Sequence, residues 1–295
     1  MIYPWLTSPY SQFVARSIGG NLHHALLLSG PAGLGKQALA ESLSHVILCR
    51  QLTVNGPCGE CQSCQLLKAG SHPDFYLLTS EKQLGVDKIR EGIGKLTGTA
   101  QLSNNKVLII PHADTMTEAA SNALLKTLEE PTKNTFIILT TDKKNGLLPT
   151  ILSRCEKHTY GLPAPTLTLS WLQQQGYGDV TDAYAKAYGY SPLGIRDSLD
   201  EGSDEVSYQD FTQGLVELKQ GKVLPGHLAS KWQDSALLVV SWLQAEAHRL
   251  YIDSQSHKDY QLCLCCQKAK KHLQHAGVNK TVILSGLLDV FSVNQ

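Results

Sequence analysis

Up to Tyr160, short apolar runs alternate with stretches whose apolar residues recur at helical spacing; beyond Leu162-Pro163-Ala164-Pro165 only the helical period remains. The runs His24–Ser29, Phe75–Leu78, Val107–Ile110 and Thr135–Thr140 predict strands, with the more polar Glu156–Tyr160 as the last, and the apolar run at His24–Ser29 reads as a buried parallel strand. Between them the period predicts helices. One runs Ser8–Gly19, with Tyr10, Phe13, Val14 and Ile18 on one side, and ends at Gly19-Gly20-Asn21. A second runs from Gly35 to about Leu48 through Leu39, Leu43, Val46 and Ile47. A third begins at Val86, with Asp87 near its positive end, and a fourth runs Glu118–Glu130 until Pro131 stops it. This alternation predicts an α/β fold with helices on both faces of the sheet.

In the remainder, Trp171-Leu172, Ala183–Ala187 and Ile195–Leu199 predict a small helical module, and Glu201-Gly202-Ser203-Asp204-Glu205 a second linker. An all-helical region follows, with apolar runs near Leu215, Leu237, Leu262, Leu273 and Ile283. The expected domains are therefore 1–162, 163–206 and 207–295, and 295 residues suffice to give each a core.

Composition adds exclusions. A hydrophobic content of 42% and a charged content of 18% describe an ordinary globular protein. No window approaches the roughly 18–20 apolar residues of a membrane span, and Met1-Ile2-Tyr3-Pro4-Trp5 lacks a signal-like basic flank and apolar core. The expectation is a cytoplasmic chain with reduced thiols. Net charge is zero, which argues against a protein that coats nucleic acid by itself. Residues 1–162 carry 15 basic and 12 acidic side chains, residues 163–206 carry 2 and 7, and residues 207–295 carry 9 and 7. Any contact with DNA would have to be local.

Three groups of residues carry chemistry. Cys49, Cys58, Cys61 and Cys64 have the spacing C-x8-C-x2-C-x2-C, with Gly56, Pro57 and Gly59 supplying turns. Four thiolates so placed can close a tetrahedron around Zn2+, and with no general base nearby the site is expected to be structural. Disulfides or free thiols are the bland alternative, disfavoured in a reducing compartment. Cys263, Cys265 and Cys266 are spaced too closely for one tetrahedral site and are expected to be small apolar residues on a helix.

The second group, Gly30-Pro31-Ala32-Gly33-Leu34-Gly35-Lys36-Gln37, follows a strand and opens a helix. That is the setting of a Walker A loop, in which Gly30, Gly33 and Gly35 admit phosphate to the backbone N–H groups and Lys36 reaches the outer phosphates. Gln37, however, replaces the hydroxyl residue that coordinates magnesium. At the end of the strand Lys106–Ile110, Pro111 and His112 stand where a nucleotide motor needs carboxylates. Asp114 lies further on and reads as a helix-starting residue. Two readings stay open, an ATP or ADP bound without efficient hydrolysis and an empty relic loop; a fully active site is opposed by both defects. The third group is Ser153-Arg154-Cys155, whose arginine could stabilise a transferring phosphate; the bland reading is a surface arginine paired with an acid.

Three further segments complete a recognisable order: Ala120-Ser121-Asn122-Ala123-Leu124-Leu125-Lys126-Thr127-Leu128-Glu129-Glu130-Pro131, Thr140-Thr141-Asp142 and Ile151-Leu152-Ser153-Arg154-Cys155. With the phosphate loop and the cysteine insertion they resemble the AAA+ subunits of the bacterial DNA polymerase III clamp loader. The resemblance is strong over 1–162, moderate to about 200 and weak beyond, where Gly277-Val278-Asn279 is its clearest echo.

It implies a RecA-like AAA+ P-loop domain, a helical lid and a helical collar that joins subunits in a ring. It also implies DnaX-type (gamma/tau) ATPase subunits and a clamp-opening delta subunit as partners, with the sliding clamp and primed DNA reached through the complex and no membrane. On this likeness the chain is a non-motor stator, and Arg154 acts in trans on a neighbour's ATP. Arg196 resembles a lid arginine that senses phosphate, or else pairs with Asp197 or Asp200. Lys88, Arg90 and Lys95 could touch template phosphate, though a solvated helical face is the simpler reading. No catalytic activity is expected of the isolated chain, although it would belong to a DNA-directed DNA polymerase (nucleotidyltransferase) holoenzyme. The rivals are an active ATPase motor of the same loader and a zinc-dependent DNA-binding regulator.

Overall fold

The computed structural model describes residues 2–80, 83–102, 104–178, 180–200, 206–273, 275 and 277–293. The chain forms two compact units, Met1–Pro163 and Ala164–Gln295.

In the first unit the order is α1 (Thr7–Ile18), β1 (Ala25–Ser29), α2 (Lys36–Leu48), α3 (Gln62–Lys68), β2 (Phe75–Leu77), α4 (Val86–Thr97), β3 (Lys106–Ile110), α5 (Glu118–Glu129), β4 (Thr135–Thr141), α6 (Pro149–Arg154) and β5 (Glu156–Thr159). The strands make one five-stranded sheet in the order β2-β3-β4-β1-β5, with every pairing parallel. Every residue of β1 and β3 is buried, which is why these strands read as continuous apolar runs. Successive side chains point to opposite faces. Leu26, Leu28, Val107 and Ile109 therefore pack with Phe13 and Leu43 of α1 and α2, whereas Leu27, Leu108, Ile110 and Leu139 pack with Ile89, Leu124 and Ile151 of α4, α5 and α6.

Two expectations are corrected here. Ile18 does not join the buried side of α1: it is the last residue of the helix and half exposed, and only Phe13 and Val14 of that helix are fully buried. Asp114 does not start α5, which is capped by Thr117, whose hydroxyl accepts from the Ala120 N–H at 3.1 Å. Asp114 lies instead in a 3-10 turn, Ala113–Thr115, and accepts a hydrogen bond from the Thr141 hydroxyl at 2.7 Å.

The second unit contains α7 (Pro165–Gln174), α8 (Asp182–Ala187), α9 (Pro192–Asp200), α10 (Tyr208–Lys219), α11 (Pro225–Trp232), α12 (Ala236–Ser254), α13 (His257–His272) and α14 (Lys280–Val293). Its core is built on Phe211, Trp232, Trp242 and Phe291. Cys266 is fully buried there and Cys263 and Cys265 pack against the same cluster. Leu237, by contrast, is half exposed on α12. The expected linker 201–205 lies outside the described residues. Among the described residues no helix is long and apolar enough to cross a membrane.

Candidate functional site

The cysteine insertion links α2 to α3. The sulfurs of Cys49, Cys58, Cys61 and Cys64 all lie within 4.8 Å of one another, with Cys49 to Cys58 at 3.7 Å and Cys58 to Cys64 at 4.0 Å. A tetrahedron with zinc–sulfur bonds of about 2.3 Å has edges of about 3.8 Å, so the four thiols fit that ion. The backbone is arranged for thiolates. The Cys58 N–H points at the Cys49 sulfur at 3.3 Å, and the Cys61 N–H at the Cys58 sulfur at 3.4 Å. Burial pushes the Cys49 and Cys64 thiols up. At Cys61 burial also acts upward but is outweighed by amide and thiol hydrogen bonds, led by the Cys64 N–H, and the thiol is brought down to about 6. Four sulfurs this close cannot all ionise without a cation between them.

The insertion's arms are tied together beneath the sulfurs. Ser63, fully buried, donates to the Leu48 carbonyl at 2.6 Å and lies 2.8 Å from His72 Nε2. His72 Nδ1 accepts the Asp74 N–H at 3.1 Å, which leaves Nε2 as the protonated nitrogen. Gly56, at φ +114°, lies under Tyr10, whose hydroxyl would be 2.8 Å from any added Cβ.

The phosphate loop leaves the carboxyl end of β1. Gly33 and Gly35 have φ of +71° and +89°, and a Cβ on Gly30 would stand 2.5 Å from the Tyr160 carbonyl oxygen. Trp5 pins the loop by donating its indole N–H to the Leu34 carbonyl at 2.8 Å. Lys36 does not project into open space as its motif suggests. It is buried, and its Nζ donates to the carbonyls of Gly30 at 2.9 Å and Pro31 at 2.7 Å and pairs with Asp142 at 2.6 Å. Gln37 turns along its own helix, donating to Glu41 at 3.0 Å. His112, in left-handed backbone conformation, faces the second Asp142 oxygen at 3.5 Å. The spacing of the loop gave no hint of Asp142 as the partner of Lys36; the signals were its place just past the strand Thr135–Thr141 and in the segment Thr140-Thr141-Asp142 that carries the resemblance.

Arg154 ends α6, a short helix that packs against α5. One guanidinium nitrogen donates to the Thr150 carbonyl at 2.9 Å and the Ser153 hydroxyl at 3.2 Å, while the other pairs with Glu129, the last residue of α5. The arginine thus has the acidic partner that the bland reading foresaw, yet about a third of its side chain remains exposed (32%). Cys155 is buried beneath it, and burial raises its thiol to about 11.

Arg154 and Lys36 lie at opposite edges of the sheet. Leu26 of β1 pairs with Glu156 and Ser29 with Thr159, so Arg154 precedes the amino ends of the strands while the phosphate loop follows their carboxyl ends. At about 3.3 Å per residue the strand between them spans roughly 16 Å, farther than an arginine side chain extends. Arg154 cannot serve its own chain's loop.

The remaining candidates have partners within their own unit. Lys88 donates to the Thr79 carbonyl at 3.0 Å, Arg90 lies 3.9 Å from Asp87, and Lys95 pairs with Glu91 at 2.6 Å, all on the exposed face of α4. Arg196 pairs with Asp197 at 2.6 Å and approaches Asp200 at 3.9 Å.

The family described as "DNA polymerase III, delta subunit" matches residues 7–160. The chain is 38% identical over 250 residues to the DNA polymerase III subunit delta' of Pseudomonas aeruginosa, a match covering 82% of this chain and 74% of that protein. It is 43% identical over 176 residues to the subunit delta' of Escherichia coli, covering 59% and 53% respectively. Among solved structures, a DNA polymerase III gamma subunit-related protein of Thermotoga maritima superposes with a TM-score of 0.53 over 97% of this chain and 98% of that one; at 17% identity this likeness speaks to the fold alone.

Proposed function

The chain belongs to the family of DNA polymerase III delta' subunits, and from that premise we propose that it is the non-motor stator of a clamp loader, lending Arg154 in trans to ATP held by a neighbouring subunit. The observation that carries this reading is the opposed placement of the two cations. A guanidinium that is partly exposed, restrained and out of reach of its own phosphate loop is suited to a phosphate on another chain. There it would spread positive charge over the oxygens that gain negative charge as the terminal phosphate departs. Such an arginine is worth roughly 10³–10⁵ in rate in well-characterised cases.

The neighbours would be DnaX-type ATPase subunits and a delta subunit in the cytoplasm, and the complex would place the sliding clamp on primed DNA. Residues 163–206 would form the lid and 207–295 the collar. Nucleotidyl transfer would belong to the holoenzyme's polymerase. The four cysteines would hold structural Zn2+, which contributes on the order of 10 kcal/mol to folding in comparable modules. A purified chain should therefore contain one equivalent of zinc, and its removal by a chelator should unfold segment 49–64. Stoichiometric zinc missing from protein purified without chelator would remove this part of the reading.

The decisive experiment reconstitutes the loader with Arg154→Ala and follows single-turnover ATP hydrolysis and clamp loading. Hydrolysis at the adjoining ATP site should slow at least 100-fold, with the melting temperature of the isolated variant unchanged. Normal kinetics would refute the role of Arg154. Steady-state hydrolysis by the isolated chain, abolished by Lys36→Ala, would instead favour the motor reading.

A further inference from the structure

We propose that Asp142 is a built-in plug for the phosphate loop. Its carboxylate takes the place a phosphate would take on the Lys36 ammonium, so the loop is a latent nucleoside-triphosphate site that the chain holds shut from within. The first ground is saturation. An ammonium has three donor protons, and Lys36 has three acceptors: the carbonyls of Gly30 and Pro31, at 2.9 and 2.7 Å, and Asp142 at 2.6 Å.

The second ground is the position of the carboxylate. One oxygen of Asp142 meets Lys36 and the other faces His112, which stands where the strand β3 would end in a metal-binding acid. The single side chain therefore bridges the phosphate-binding cation and the metal-binding corner of such a site.

The third ground is rigidity. Thr141, just before the plug, donates to Asp114 at 2.7 Å and accepts the Lys143 N–H at 3.0 Å, which fixes the turn that carries Asp142. The loop itself is anchored by Trp5 on Leu34 and by the Gly30 N–H on the Thr141 carbonyl at 3.3 Å. An entering triphosphate would have to break a partly buried ion pair and then lie beside the displaced carboxylate, where like charges repel. The loop keeps the shape of a phosphate cradle because Asp142 satisfies it, and a stator so built would not respond to nucleotide.

The test is an equilibrium titration of the full chain with a fluorescent ATP analogue and magnesium. The wild type should show no saturation in the millimolar range. Asp142→Ala should bind at least tenfold more tightly, Asp142→Asn by a smaller factor, and the gain should vanish in the double variant Lys36→Ala/Asp142→Ala. Melting curves establish that each variant is folded; if Asp142→Ala is not, the near-isosteric Asp142→Asn decides. Wild-type binding as tight as that of the folded Asp142 variants, no binding by any variant, or a gain that survives loss of Lys36 would each overturn the proposal. None of these outcomes depends on Arg154.

Discussion

The two edges of the sheet in the first unit each carry a basic side chain drawn from a recognisable motif. At the carboxyl edge Lys36 is buried and answered by two carbonyls and Asp142. At the amino edge Arg154 is held by Glu129 and by the end of its own helix but remains partly exposed. Both are basic side chains within one motif-bearing unit, and they differ in how much of each is left for another molecule. The Walker lysine, the more familiar signal, is the one consumed internally. A retained motif records ancestry; the accessibility of its charge determines whether it can act.

Exchanging chemistry at the amino edge should have the largest effect. Arg154→Lys keeps the charge but loses the planar fork, so hydrolysis at the adjoining site should fall roughly 100-fold, about 3 kcal/mol in the barrier. Pre-steady-state ATPase of the reconstituted complex measures this, and a lysine variant indistinguishable from wild type would reduce Arg154 to a point charge. At the carboxyl edge the expected effects fall on stability instead. Asp142→Ala strands a buried ammonium and should cost about 2 kcal/mol in denaturant unfolding; this is less than for a fully enclosed pair because Asp142 is 26% exposed. Lys36→Ala leaves two carbonyls and a carboxylate that water can reach, and should cost about 1 kcal/mol. Neither should slow a neighbour's hydrolysis; if Lys36→Ala did, the division between the two edges would collapse.

The smallest effect concerns a second cation near the amino edge. Arg16 holds Glu156 through a paired hydrogen bond, one arm of which is 2.7 Å, and this contact, helped by His158, keeps the Glu156 carboxyl at about 2 against an ordinary 4.5. Because the folded value lies below the unfolded one, the stabilisation is complete above about pH 4.5 and is lost as pH falls toward 2. Both side chains are partly exposed, so solvent screening limits it to about 1 kcal/mol. Acid unfolding of Arg16→Ala should lack this component, and an unchanged acid limb would show that the pair contributes nothing.

Much of the architecture was legible in the sequence because burial imposes a pattern. The runs at Leu26–Leu28, Val107–Ile110 and Ile137–Leu139 had to be strands covered on both faces, and Pro131 and Gly19 marked helix ends that the structure keeps within a residue or two. The cysteine spacing likewise picked out four sulfurs that the fold brings within 4.8 Å of one another, since two C-x2-C turns leave few ways to arrange them. The failures fell where pattern carries no distance. Asp114 looked like a helix start, but Thr117 lies at the true boundary with an oxygen placed to accept the Ala120 N–H. Ile18 kept the helical period, yet it stands at the last position of its helix and is half exposed.

By itself the sequence determined which segments are strands, which cysteines can meet, and which cations lie in phosphate-type motifs, because hydrophobic period and residue spacing are local properties. Only the tertiary structure decided what those cations can do. Lys36 and Asp142 are far apart along the chain and adjacent in space, and so are Arg154 and Glu129. Parallel pairing of β1 with β5 puts the two basic groups at opposite ends of the strands. Electrostatic interaction depends on separation and burial, and both are set by the packing of distant segments.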